Sequence, residues 1–326
     1  MERLYIIVPA LIPAAFMLSA FAYYCVRKAL GRMPKVEGLN RRKFTEIIGP
    51  LFTGYFLWLL RPVEQSLKGR VPPNAVTAAS MVVCASAGLS FATGHLAAAA
   101  WLYILAGALD VLDGRLARAT NRSSRAGAFL DSVSDRWGEL FVFAGLAWYV
   151  RDTAWLGAVM LAVSGSMMVS YTRARGEGLD LKLDGGTMQR AERIFIVAVG
   201  SLIASWFDMA AATAQYSTHI VGVALLVTGV GSTATSIHRW WNGYTQLQAR
   251  EDAMVESQLE ADASAQSGSL LIRFDRNGDE DAASAVANSE QRESTLSNAI
   301  MVRQPEGSKS WAAATALESV PGRVRE

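Results

Sequence analysis

Four aspartates mark the place in this sequence where chemistry could be done. Asp110-Val-Leu-Asp113-Gly114-Arg-Leu-Ala117-Arg118 is followed, after eight residues, by Gly127 and then by Asp131 and Asp135. Asp110 and Asp113 are spaced i, i+3, and Asp131 and Asp135 i, i+4, so on helices each pair shares one face. A short connection between the pairs makes the two helices adjacent and antiparallel, bringing the four carboxylates to one depth. In a low-dielectric setting they cannot all stay ionised without compensation, because like charges repel and desolvation penalises each. A hard divalent cation supplies that compensation. An all-oxygen donor set with no convergent His or Cys favours Mg²⁺ or Mn²⁺ over zinc. The three histidines, His95, His219 and His238, fall in other segments and are read as structural or interfacial. The competing reading is an ion-pair cluster in which Arg115, Arg118 and Arg136 neutralise the aspartates; the full set of fixed positions argues against it.

The glycines have a separate reason. Gly114, with Ala117 one turn on, and Gly127 remove side chains where helices must approach closely or admit a flat ligand, and Arg118 can hold a phosphate.

The elements that carry these residues are membrane helices. The chain is 51% hydrophobic and 18% charged, with mean hydropathy +0.20. Val71–Leu109 contains no Lys, Arg, Asp or Glu, about twice the ~20 residues one crossing needs. Similar runs cover Leu4–Val26, Thr153–Thr172, Ile194–Phe207 and Met209–His238, and Ala126–Val150 forms a further span with Asp131, Asp135, Arg136 and Glu139 in its first half. Seven crossings are predicted, and a soluble fold is excluded. The first run is too long for a signal-peptide core and ends in Arg27-Lys28, so residues 1–30 are read as a retained N-terminal transmembrane helix. Cys25 and Cys84, both in apolar runs, imply no disulfide framework.

Residues 31–70 read as a basic linker and an interfacial helix. Ile47, Ile48, Leu51, Phe52, Tyr55, Trp58 and Leu59 recur at helical spacing over roughly Thr45–Lys68, with one more spanning helix as the alternative. Residues 71–245 hold the remaining six spans. From about Gln246 the chain is rich in Ser, Ala, Glu, Gln and Asp, and residues 246–326 are expected to form a mostly disordered tail. Asp275-x-Asn277-x-Asp279 opens like a calcium loop but has Glu280 and Val286 where Gly and Glu belong, so it is rejected. The connections Arg27–Arg70, Arg115–Arg125 and Arg173–Arg193 carry ten, four and five Lys/Arg, against Arg3 and Arg151 on the other side. The first side is therefore expected to be cytoplasmic.

These residues match the signature D-x2-D-G-x2-A-R-x8-G-x3-D-x3-D, and the chain from about Val71 to Gly200 resembles the CDP-alcohol phosphatidyltransferase family. Pro73-Asn74-x-x-Thr77 is similar to the family's opening of its first core helix. The resemblance implies a six-helix membrane core; with the N-terminal helix and the cytoplasmic amphipathic helix read from the residues, the expected fold is an all-α polytopic membrane protein. It also implies transfer of a phosphatidyl group from CDP-diacylglycerol to an alcohol, with release of CMP. By the same resemblance Asp110, Asp113 and Asp131 are metal ligands for two Mg²⁺ or Mn²⁺ ions, and Asp135 is the base and a further ligand. Asp131 and Asp135 are the catalytic pair, while Asn74, Thr77, Asp113, Gly114, Ala117, Arg118 and Gly127 bind the CDP moiety.

A second cluster, Ser170-Tyr-Thr-Arg173-Ala-Arg175-Gly-Glu177, Asp184-Gly185-Gly186 and Arg190-Ala-Glu192-Arg193, bears on the acceptor. Several arginines suit a phosphorylated polyol, although positive-inside bias alone would also place them there. The segments are similar to those of prokaryotic phosphatidylinositol-phosphate synthases, with Ala191 for the usual Pro and Gly176 for the usual Ala. That implies inositol 1-phosphate as acceptor, held by Arg173, Arg175, Arg190 and Arg193, with glycerol phosphate as the alternative. The expected partners are CDP-diacylglycerol, the phosphorylated polyol, the lipid bilayer and a second copy in a homodimer, with no nucleic acid. The expected location is a prokaryotic-type inner membrane, active site toward the cytoplasm. A carboxylate-using transporter is a remote alternative, which would favour mid-membrane charges and internal repeats that the sequence lacks.

Overall fold

The structure is a computed structural model that describes residues 2–32, 49–183, 185–208 and 213–276. Among these residues all regular structure is helical: α1 Glu2–Ala29, α2 Gly49–Leu67, α3 Pro73–Ala92, α4 Leu96–Ala119, α5 Arg125–Tyr149, α6 Leu156–Glu177, α7 Arg190–Phe207 and α8 Gln215–Arg276. In hydrocarbon every backbone N–H and C=O must find a partner within the chain, and helices achieve that locally. The boundaries follow local chemistry. Pro73 sits in the first turn of α3, where its missing N–H costs nothing. Gly94, at φ +79°, reverses the chain between α3 and α4. Ser124 caps α5 by accepting from the Gly127 amide at 3.0 Å.

Among the described residues three helices are long and apolar enough to cross a membrane: α3, α4 and the Gln215–Ser267 portion of α8. Helices α5 and α7 fall outside that group because of their charged residues. Every 18-residue stretch of α5 includes Asp135, Arg136 and Glu139, and the whole of α7 includes Arg190, Glu192 and Arg193.

Helices α1 and α2 pack through aromatic rings. Phe21, Tyr24, Phe52 and Trp58 surround Tyr55, whose hydroxyl donates to the Met17 carbonyl at 2.7 Å. Helix α2 covers most of the predicted interfacial segment; Thr45, Ile47 and Ile48 lie outside the described residues. It is tied to α4 by an ion pair between Glu64 and Arg115, 2.6 Å long and mostly screened from solvent.

Of the mostly disordered tail expected over residues 246–326, the stretch as far as Arg276 is helical and belongs to α8, and residues 277–326 lie outside the described residues. Low hydrophobicity argues against a buried core, yet Ala, Glu, Gln, Leu and Arg are strong helix formers, and the side chains from Gln248 to Ser267 are exposed. The chain divides into compact units after Gln248. Most of the rejected calcium-loop run lies outside the described residues.

Candidate active site

Helix α3 is the scaffold of the site. It packs along both α4 and α5, which contact α3 far more than they contact each other. The reason lies in small residues. Gly88 of α3 and Gly145 of α5 meet backbone to backbone, and a Cβ on Gly145 would overlap the Gly88 carbonyl. On the other flank, the Ser80 hydroxyl donates to the Ala106 carbonyl of α4 at 2.9 Å. With α3 wedged in, α4 and α5 leave a cavity of about 170 Å³ where their signature residues face each other.

All seven residues expected at the CDP moiety line that cavity: Asn74, Thr77, Asp113, Gly114, Ala117, Arg118 and Gly127, joined by Asp131. A Cβ on Gly127 would press on Ser124 Oγ at 3.1 Å and approach Asn74 Oδ1 at 3.6 Å, which explains the glycine. The volume is below the ~300–1,000 Å³ of pockets that enclose a whole ligand, so it suits the head of a larger molecule. Sequence reasoning missed Arg122, Ser123 and Ser124, which also line it. They belong to the unconstrained spacer between Arg118 and Gly127, where only the fold shows which side chains turn inward.

Beside the cavity, Asp110, Asp131 and Asp135 each offer a carboxylate oxygen, and the three atoms lie within 4.8 Å of one another. Asp113 is placed differently from the other three. It is 4% exposed, and its Oδ2 accepts from the Thr77 hydroxyl at 2.6 Å, so it faces the cavity rather than joining the trio. The donor set tests well against a hard cation: anionic oxygens only, from two helices, with no His or Cys in the group.

The positive charges are distributed in a way the sequence did not reveal. Arg115 is engaged with Glu64, leaving the cluster to others. Arg136 Nη1 lies 3.7 Å from Asp135. Arg190, the first residue of α7, inserts its guanidinium into the cluster: Nη1 is ion-paired with Asp110 Oδ1 at 2.6 Å and donates to Asp135 Oδ1.

The four arginines expected at an acceptor phosphate therefore part company. Arg190 is at the cluster. Arg193 is 1% exposed and buried in a pair with Glu139, donating from Nη2 at 2.5 Å and from Nε at 3.1 Å, with Nη1 on the Met188 carbonyl at 3.3 Å. This corrects its expected role, because all three donating nitrogens are already committed inside the protein. Arg173 donates to Glu177 at 2.9 Å on the exposed surface of α6, and Arg175 is exposed in the last turn of that helix.

Glu139 was missed, although it continues the Asp131, Asp135 face by another i+4 step and matches the i, i+3 spacing of Arg190 and Arg193. The approach to α7 is held by α8: Thr235 Oγ1 accepts from the Met188 amide at 3.1 Å, and Arg239 donates to the carbonyls of Gly185 at 2.7 Å and Val169 at 2.9 Å. Gly186, at φ +110°, lies against the Thr235 side chain, where a Cβ would not fit. Asp184 lies outside the described residues. The histidines stay away from the carboxylate cluster, His95 with Thr93 and His238 with Asn242 locally, and His219 accepting from the Trp155 indole.

The family model for CDP-alcohol phosphatidyltransferases matches residues 70–231. A phosphatidylinositol phosphate synthase of Mycobacteroides abscessus is 31% identical over 61% of this chain and 86% of that protein. The crystal structure of Mycobacterium tuberculosis phosphatidylinositol phosphate synthase with CDP-DAG bound is similar at TM-score 0.51 and 28% identity, covering 58% of this chain and 94% of that one. A structure of the same enzyme in complex with manganese and citrate is similar at TM-score 0.51 and 28% identity, over 56% and 88%. With the signature residues gathered on α4 and α5 around one cavity, and a relative matched over most of its length, the chain belongs to the CDP-alcohol phosphatidyltransferase family.

Proposed function

We propose that this chain transfers the phosphatidyl group of CDP-diacylglycerol to the hydroxyl of inositol 1-phosphate, releasing CMP. The observation that carries the reading is the junction of the three-carboxylate cluster with the cavity lined by the CDP-signature residues. In the reaction the acceptor oxygen bonds to the phosphatidyl phosphorus as the bond to the CMP oxygen breaks, and the acceptor proton must leave. Asp135, on the cluster side of α5, is positioned to take that proton. Asp110, Asp131 and Asp135, with Asp113 approaching from the cavity side, would hold Mg²⁺ or Mn²⁺, which when bound neutralises the diphosphate and its leaving group. Asn74, Thr77, Gly114, Ala117, Arg118 and Gly127 orient the nucleotide head, and Asp113, held by Thr77, anchors α4 to α3 at that point.

The acceptor assignment rests on Arg190, the arginine the fold brings to the cluster, with exposed Arg175 as a second contact. The names of the similar proteins support the same acceptor class. Helices α3 to α8 form the six-helix core, α1 adds a crossing, and α2 lies at the interface. The basic connections argue for a cytoplasmic active site in a cell membrane. Purified protein given CDP-diacylglycerol and Mn²⁺ or Mg²⁺ is expected to release CMP fastest with inositol 1-phosphate, and not at all in excess chelator. Faster release with free inositol, serine or glycerol 3-phosphate would overturn the acceptor. Turnover in chelator would overturn the metal.

A further inference from the structure

Arg190 occupies a position that a phosphate-binding residue alone does not require. Its Nη1 is ion-paired with Asp110 Oδ1 at 2.6 Å and donates to Asp135 Oδ1, oxygens of the very carboxylates that suit a divalent cation. The side chains involved are only 16% to 23% exposed, so water screens these contacts weakly. A cation drawing on those lone pairs and the guanidinium compete for the same atoms. The guanidinium is not held there by its own helix: its backbone begins α7, and the adjacent turn is fixed by the buried Arg193–Glu139 pair and by Met188 on Thr235. The base of Arg190 is thus anchored while its head is shared among carboxylates.

We propose that Arg190 is an internal counter-ion that a divalent cation displaces from Asp110 and Asp135, and that the displaced guanidinium then takes the acceptor phosphate. Metal loading and acceptor binding are thereby coupled: each makes the other more favourable, by the same factor in both directions. The acceptor half of this inference rests on the function proposed above; the competition between Arg190 and the metal does not.

The test is the Mn²⁺ affinity of full-length protein, read by electron paramagnetic resonance of free Mn²⁺, without any turnover. Removing the competitor in Arg190→Gln is expected to tighten Mn²⁺ binding about tenfold or more, the worth of one charge-assisted contact. Arg190→Lys, which keeps the charge but cannot present two forked donors, is expected to lie between wild type and Arg190→Gln. Inositol 1-phosphate is expected to tighten Mn²⁺ binding to wild type and to have no such effect on Arg190→Gln. Mn²⁺ affinity unchanged or weakened in both variants would overturn the displacement. Equal tightening by inositol 1-phosphate in wild type and Arg190→Gln would overturn the coupling. A failed acceptor assay with tightened Mn²⁺ binding in Arg190→Gln would count against the proposed acceptor and leave the competition standing.

Discussion

At the scale of single residues, similar side chains have been assigned different work by burial. Asp135 shares its oxygens with Arg190 and Arg136, whereas Asp113 is sealed against Thr77. Asp135→Asn is therefore expected to keep CDP-diacylglycerol binding and lose transfer by two or more orders of magnitude, the usual worth of a general base of about 10²–10⁴-fold. Asp113→Asn is expected to weaken nucleotide binding as well, and equilibrium binding of the CDP-lipid beside single-turnover CMP release separates the two. Arg193 and Glu139 form the most deeply buried ion pair described, 2% and 0% exposed. Breaking such a pair from one side leaves an uncompensated charge, so Arg193→Met or Glu139→Gln is expected to cost about 3–5 kcal/mol. The double variant is expected to recover part of that loss, and thermal unfolding in detergent of the two singles and the double measures it.

At the scale of elements, α3 sets the distance between the two helices that bear the aspartates. It can do so because its contacts are small: Gly88 admits α5, and Ser80 spends its hydroxyl on α4. From outside the segment matched by the family, α2 reaches the signature through Glu64 and Arg115. Arg115 lies next to Gly114 in the chain, so this pair steadies the turn of α4 that lines the cavity. Glu64→Gln is expected to raise the Michaelis constant for CDP-diacylglycerol about three- to tenfold, consistent with a half-screened ion pair worth roughly 1 kcal/mol. Mn²⁺ affinity should stay unchanged, which initial-rate kinetics and metal titration check together.

At the scale of the whole molecule, every described residue assigned to the site precedes Gln248, where the chain divides. The exposed helical stretch beyond it carries none of them. A chain ending at Gln248 is expected to retain CMP release within about twofold of full length, given that surface segments away from a site change little. A loss of more than tenfold with an unchanged unfolding temperature would assign the C-terminal unit a part in the reaction.

How much of this was legible beforehand differs by kind of feature. The sequence by itself determined the membrane-helical class and the aspartate set, and its resemblance to the family pointed to the residues that line the cavity. Hydrophobic runs report burial directly, and residues at fixed helical intervals must share a face. What only the tertiary structure decided was which partners meet across helices. Arg173, Arg175, Arg190 and Arg193 look alike in a basic loop, yet one enters the carboxylate cluster, one is buried on Glu139 and two stay exposed. The α3 wedge and the Glu64–Arg115 link were equally out of reach. Periodicity fixes the direction a side chain takes from its own axis, while the neighbour it meets depends on packing between helices distant in sequence.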